Sequence, residues 1–240
     1  MTETEKPKSA EMHPGPGFRW RTRVERVDPD VVRQFAAFET PDASDLMNRL
    51  YTMESEIRPM TSPDLKILGT ACTVKVFPGD NLMVHKSLDL AAPGDVVVVD
   101  AGSSSMNGVL GDLISTKARH RGIAGFVVDG LVRDLPAIRA LGDFPVFARG
   151  ATPIGPLHRG PGEVNYPVSV GGIVVQPGDL VMGDLNGVVI VPREAAPELL
   201  ERLKQHVARE AAYVAAVTRG EFSNAWVDQI LGEAGVVADR

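Results

Sequence analysis

Residues 93–134 read PGDVVVVDAGSSSMNGVLGDLISTKARHRGIAGFVVDGLVRD, and their punctuation decides the fold. Pro93-Gly94-Asp95 is a turn, and the four valines 96–99 form the unbroken apolar run expected of a strand covered on both faces. A Gly- and Ser-rich loop leads to a helix near 109–120, which stops at Arg121-Gly122, where glycine accepts the left-handed conformation that ends a helix. Residues 125–128, Gly-Phe-Val-Val, are a second buried strand, followed by a loop over 129–134. Strand, loop, helix, strand, loop is the pattern of a parallel α/β core with right-handed crossovers.

The same pattern extends in both directions. Residues 71–77 read as a strand, and Pro78-Gly79-Asp80 turns into a helix carrying Leu82, Met83, His85 and Leu88. A helix near 135–141 and a short strand at 145–148 follow the central stretch. Beyond Gly150, short strands at 168–170, 173–175, 180–182 and 188–191 are separated by Gly-Gly, Pro-Gly-Asp and Asn-Gly turns, which are hairpin signals. Asp28 with Pro29 caps a helix reaching about Phe38, and a second short helix follows Pro41. Residues 194–218 are helical, with Leu199, Leu200, Leu203, Val207, Ala211 and Val214 in one stripe, and a last helix covers 226–231. Contact between copies and packing within the chain explain that stripe equally. Three βα units are too few for a TIM barrel. The expectation is a mobile tail over 1–17 and one α/β domain over 18–240 with a C-terminal helical extension.

Composition narrows the function. The 240 residues are 44% apolar and 23% charged, ordinary for a globular chain. Twenty-five basic against 31 acidic side chains leave a net charge of −6, which argues against nucleic acid or an anionic membrane as partner. A single cysteine, Cys72, rules out an internal disulfide framework and a cysteine-built zinc site within one chain. No apolar run has membrane-spanning length and residues 1–17 lack a signal-peptide core, so the chain is expected to be cytoplasmic.

Ligands of parallel α/β sheets gather beyond the carboxyl ends of the strands. Two loops leave adjacent strands there, one carrying Gly111-Asp112-Leu113 and the other Arg133-Asp134. Arg133 offers a two-point grip on a carboxylate, and amides at the helix start near Gly111 offer a second. Asp134 or Asp112 suits a hard divalent cation that keeps most of its waters. A plain structural reading stands beside this one: Asp129-Gly130 as a turn, Asp134 as a helix cap and Arg133 as its surface partner.

Asp112, twenty intervening residues and Arg133-Asp134 match the D-X20-R-D signature of the RraA-like family, which includes the 4-hydroxy-4-methyl-2-oxoglutarate / 4-carboxy-4-hydroxy-2-oxoadipate aldolases. Residues 79–102, 122–134, 144–156 and 167–193 also resemble that family, so the similarity covers roughly 40–195. The resemblance implies a compact α/β sandwich like the swivelling phosphohistidine domain, with flanking N- and C-terminal helices, assembled as homotrimers or homohexamers. It implies a class II pyruvate aldolase, dependent on Mg²⁺ or Mn²⁺, that acts on small 2-oxo acids and also decarboxylates oxaloacetate. Carried over, Asp134 holds the metal and Arg133 holds the pyruvyl moiety and the developing enolate. Asp112 orients or deprotonates a metal-bound water, and the amides near Gly111, Asp112 and Leu113 hold the substrate carboxylate. The family also draws acidic residues from a neighbouring subunit, which match no identified position here. Asn186 stands where many members have aspartate.

Other readings compete. One family branch regulates ribonuclease E by binding protein rather than by catalysis. A Schiff-base aldolase would need Lys75, whose place in an alternating strand fits a solvent-facing position better. His85 reads as a packing histidine on an apolar helix face, and His13, His120, His158 and His206 show no ligand spacing. The Gly-Pro-Gly segments at 15–17 and 160–162 read as turns.

Overall fold

The computed structural model describes residues 11–236. The chain enters through β1 (Phe18–Trp20), α1 (Pro29–Phe35), α2 (Thr40–Leu46) and β2 (Arg58–Pro59). The core follows as β3 (Ile67–Val76), α3 (Leu82–Leu90), β4 (Asp95–Asp100), α4 (Asp112–His120), β5 (Gly125–Val132), α5 (Leu135–Arg139) and β6 (Val146–Ala151). Then come β7 (Gly162–Val164), β8 (Val168–Val170), β9 (Ile173–Val175), β10 (Leu180–Asp184) and β11 (Gly187–Val191), and finally α6 (Ala196–Thr218) and α7 (Ala225–Glu233).

Strands β3, β4, β5 and β6 pair in parallel, in chain order. The four valines show why. Val97 and Val99 join Phe126, Val128, Met83, Val84, Ile114 and Ala118 in a core between the sheet and helices α3, α4 and α5. Val96 and Val98 face the other way, into a second core with Val127, Phe147, Val170, Val181 and Ile190 of the hairpin layer. The strand's two-residue side-chain period thus feeds both layers, at about 1.5–3 kcal/mol for each fully buried valine. This is the α/β sandwich expected from the sequence.

Several boundaries differ. β3 begins at Ile67, four residues before the apolar run, because its first residues pair antiparallel with β10. A glycine and a threonine there hid the strand, yet Gly69 is needed: a Cβ would collide with the Gly94 carbonyl. The segments read as Gly-Pro-Gly turns flank paired strands, with β1 parallel to β7. Residues 1–10 of the segment expected to be a tail lie outside the described residues, whereas Gly17 N–H donates to Glu163 Oε1 at 2.8 Å.

The loop expected over 129–134 is a second correction. Asp129 to Val132 continue β5, with a register shift against β6 between Val128 and Leu131. Asp129 is buried and accepts from Ser103 Oγ at 2.8 Å, from Gly171 N–H at 2.7 Å and from Arg149 Nε. It is therefore a joint between β5, the loop after β4 and the β8–β9 turn, not a turn of its own.

The chain divides into two compact units, one through Leu200 and one from Glu201. In the first, Ala196, Leu199 and Leu200 are buried. In the second, Val207, Tyr213, Val214 and Val217 are exposed, as are Phe222, Trp226 and Ile230. Among the described residues no helix is long and apolar enough to cross a membrane.

Burial pushes the Asp129 carboxyl up, but its hydrogen bonds from Arg149, Gly171 and Ser103 outweigh that and hold it below the usual carboxylate range. A depressed pKa contributes stability that is present above the unfolded value near 4 and is lost as pH falls through the folded one. Asp129→Asn should therefore cost about 1–3 kcal/mol at pH 7 in urea unfolding and flatten the acid limb of the stability profile. An unchanged midpoint would show that the joint contributes nothing.

Candidate functional site

The twenty residues between Asp112 and Arg133 return to their starting point through a backbone ladder. Val109 N–H donates to Leu131 O at 2.9 Å and Arg133 N–H donates to Leu110 O at 3.0 Å. Gly108 N–H donates to Ile154 O at 2.9 Å, and Thr152 N–H donates to Val132 O at 3.0 Å. The loop before α4 is thereby attached to the carboxyl end of β5, and the loop after β6 lies beside both.

Asp134 then takes a left-handed conformation, φ +57°, which Asp tolerates better than most residues. It stands at the N-cap of α5 yet makes no side-chain capping bond, so the cap reading of this residue fails. Its Oδ2 accepts from Arg133 Nε at 2.8 Å. That hydrogen bond, the charge of Asp134 and then the charge of Asp112 raise the Arg133 pKa above its already high ordinary value. Two glycines make room: a Cβ on Gly111 would collide with Asp134 Oδ2, and one on Gly155 would collide with Arg133 Nη1. Gly111 is extended, φ −147°, so space rather than backbone freedom requires glycine there.

Asp112 opens α4, and its Oδ1 accepts the N–H of Leu113 at 2.7 Å. The expected anion grip is thus partly filled by the protein's own carboxylate, and an incoming anion would have to displace it. The Leu113 side chain lines the cavity and is exposed.

Arg133, Asp134, Gly111, Asp112 and Leu113 line one cavity of about 260 Å³. Lys117, Asn81, His85 and His158 line it too. His85 is therefore not the packing histidine expected from its helix face, and His158 is not a stray loop residue. His85 stands one helical turn from Asn81, a spacing visible in the sequence. Nothing in the sequence marks His158, which arrives from a distant loop. Burial first, then Lys117 and His158, lower the His85 pKa. The cavity has two electrical halves: Arg133 with its two carboxylates, and a basic group of His85, His158 and Lys117.

Among the described residues no group of three or more His, Cys, Asp and Glu is placed to hold a metal. Asp134 and Asp112, which line the same cavity, are hard oxygen donors, a set that fits a cation of the Mg²⁺ kind, which needs only one or two protein carboxylates. Lys75 lies outside this cavity, 58% exposed and paired with Asp100 at 2.8 Å, as a solvent-facing strand position predicts.

In an NMR titration His85 should protonate below the ordinary imidazole value near 6.5, and Lys117→Gln should move it upward. A His85 titration at or above the ordinary value would contradict this arrangement.

Comparison with known proteins identifies the family. A protein of Halalkalibacterium halodurans provisionally named 4-hydroxy-4-methyl-2-oxoglutarate aldolase is 38% identical over 195 residues, covering 81% of this chain and 92% of its own. The crystal structure of Streptomyces coelicolor RraAS2, described as an unusual member of the RNase ES inhibitor RraA protein family, superimposes with a TM-score of 0.70. It is 34% identical, over 79% of this chain and 98% of that one. An uncharacterised protein from Pseudomonas syringae gives a TM-score of 0.73 at 26% identity, over 82% of this chain and 96% of that one. The RraA-like family, described as Aldolase/RraA, matches residues 40–190, and this chain belongs to it.

Proposed function

We propose that the protein is a divalent-metal-dependent pyruvate aldolase that cleaves 4-hydroxy-4-methyl-2-oxoglutarate-like 4-hydroxy-2-oxo acids, with oxaloacetate decarboxylation as a second reaction of the same site. The observation that carries this reading is the convergence of Asp112, Arg133 and Asp134 in one cavity. The aldolase name of relatives supports it. Mg²⁺ or Mn²⁺, held by Asp134 with water in its other positions, would polarise the 2-oxo acid and stabilise negative charge on its oxygen.

The remaining work falls to the chain. Arg133, oriented by its hydrogen bond to Asp134, binds the pyruvyl carboxylate and stabilises the developing enolate charge. The α4 amides orient that carboxylate once Asp112 turns away from Leu113 N–H, and the freed Asp112 carboxylate orients water. When the C3–C4 bond breaks, pyruvate leaves as its enolate and is then protonated; loss of CO₂ from oxaloacetate gives the same enolate. The exposed apolar residues of the second unit suit packing between copies in a homotrimer or homohexamer. A second reading, a protein-binding regulator of RNA processing, is favoured by the RraA structures.

Pyruvate release from both substrates should vanish in EDTA-stripped protein and return with Mg²⁺ or Mn²⁺. Arg133→Ala should lower kcat by roughly 100-fold, about 3 kcal/mol by analogy with a lost oxyanion donor, while Tm stays close to wild type. Gly111→Ala, whose methyl collides with the Asp134 carboxylate, should lose activity comparably. Activity indifferent to EDTA would refute the metal, and inactivity with every metal would favour the regulator.

A further inference from the structure

His158 enters the cavity on a loop whose backbone is clamped on both sides. Leu157 N–H donates to Gly79 O at 2.8 Å, and Asn81 N–H donates back to Leu157 O at 3.0 Å. Arg159 N–H donates to Asp80 Oδ2 at 2.6 Å. The Gly79-Asp80-Asn81 segment that starts α3 therefore holds the residues before and after His158. Asp80 and Asn81 are themselves buried.

The same segment sets the protonation of the ring. Asn81 Nδ2 donates to Val109 O at 2.9 Å, which turns the amide oxygen toward His158 Nδ1, 2.6 Å away. An amide oxygen only accepts, so Nδ1 carries the proton and Nε2 of the neutral ring keeps a lone pair. Asn81 is 2% exposed whereas His158 is exposed, so Nδ1 is the inward nitrogen and Nε2 the one left open. The His85 ring stands edge-on, 5.6 Å between centroids. In this structure Asp112 accepts from Leu113 N–H and Asp134 from Arg133, and the Asp112 carboxylate, once freed, serves to orient water.

We propose that His158 is the catalytic base and acid of this site, with Asn81 as its positioning residue; the inference rests on the aldolase reading above. Nε2 takes the proton of the substrate's C4 hydroxyl while the C3–C4 bond breaks, so C4 becomes a carbonyl and the bonding pair passes into the pyruvate enolate. The same proton then moves from Nε2 to C3 and completes the methyl group of pyruvate. One proton is moved twice, with no further reactant.

Histidine ¹⁵N NMR of the whole protein tests the premise without turnover. His158 should be the Nδ1–H form at neutral pH, and Asn81→Leu should release it to the Nε2–H form. In kinetics His158→Gln should lower kcat for aldol cleavage by on the order of 10²- to 10⁴-fold with a far smaller change in KM. Oxaloacetate decarboxylation, which has no hydroxyl proton to remove, should fall less, and added imidazole should restore part of the rate to His158→Ala. An Nε2–H ring in the wild type, a His158→Gln kcat near wild type, or no imidazole rescue of folded His158→Ala overturns this proposal and leaves the aldolase reading standing. Wild-type protein that cleaves no 4-hydroxy-2-oxo acid overturns both.

Discussion

The short hydrogen-bonded ladder between residues 109–110 and 131–133 carries the site, since it closes the loop between Asp112 and Arg133 on β5. Backbone amides and carbonyls in this buried stretch need partners, and the ladder supplies them while bringing two strand ends together. It also demands close approach. A Cβ on Gly108 would lie 3.0 Å from the Val132 carbonyl carbon and 3.2 Å from Arg133 Cβ, so any side chain there would push the loop and β5 apart by a few tenths of an ångström. Gly111 repeats the demand against Asp134 three residues later. Arg133 and Asp134 follow β5 without an intervening flexible residue, and a strand held in a parallel sheet sets where both begin.

Electrical division of the cavity follows from which elements meet there. The ends of β5 and α4 bring Arg133, Asp134 and Asp112, whereas α3 and the loop after β6 bring His85, Asn81 and His158. Lys117 projects from the later turn of α4 into the second group. The first half suits anion and cation binding together. In the second, burial, Lys117 and His158 lower the His85 pKa. Asp129 is a structural carboxylate outside the cavity lining, and its partners Ser103, Arg149 and Gly171 come from three different segments.

The central α/β core was legible because its signals are local. Four consecutive valines, Pro-Gly-Asp turns and a glycine stop specify strand, turn and helix end through backbone chemistry that each residue carries with it. The D-X20-R-D spacing was legible through the family resemblance rather than through local chemistry, and Asp112, Arg133 and Asp134 do meet in one cavity. What escaped were elements defined by a partner: the start of β3, which exists because β10 pairs with it, and β1 and β7, which exist because they pair with each other. The extension of β5 through Asp129-Gly130 escaped too, since those residues spell a turn unless Arg149, Ser103 and Gly171 are there to bury the carboxylate.

Thus sequence alone settled the order of the core elements, the double burial of the valine strand and the identity of the charged residues at the strand ends, all of which depend on neighbours a few positions away. Tertiary structure alone decided that His85 and His158 share the cavity with Arg133, that Asn81 sets which nitrogen of His158 is protonated, and that Lys75 lies outside. Those facts depend on contacts across 28 residues from Asn81 to Val109 and 77 from Asn81 to His158. No periodicity links such positions; only the sheet, by stacking the ends of its strands, brings them within a hydrogen bond of one another.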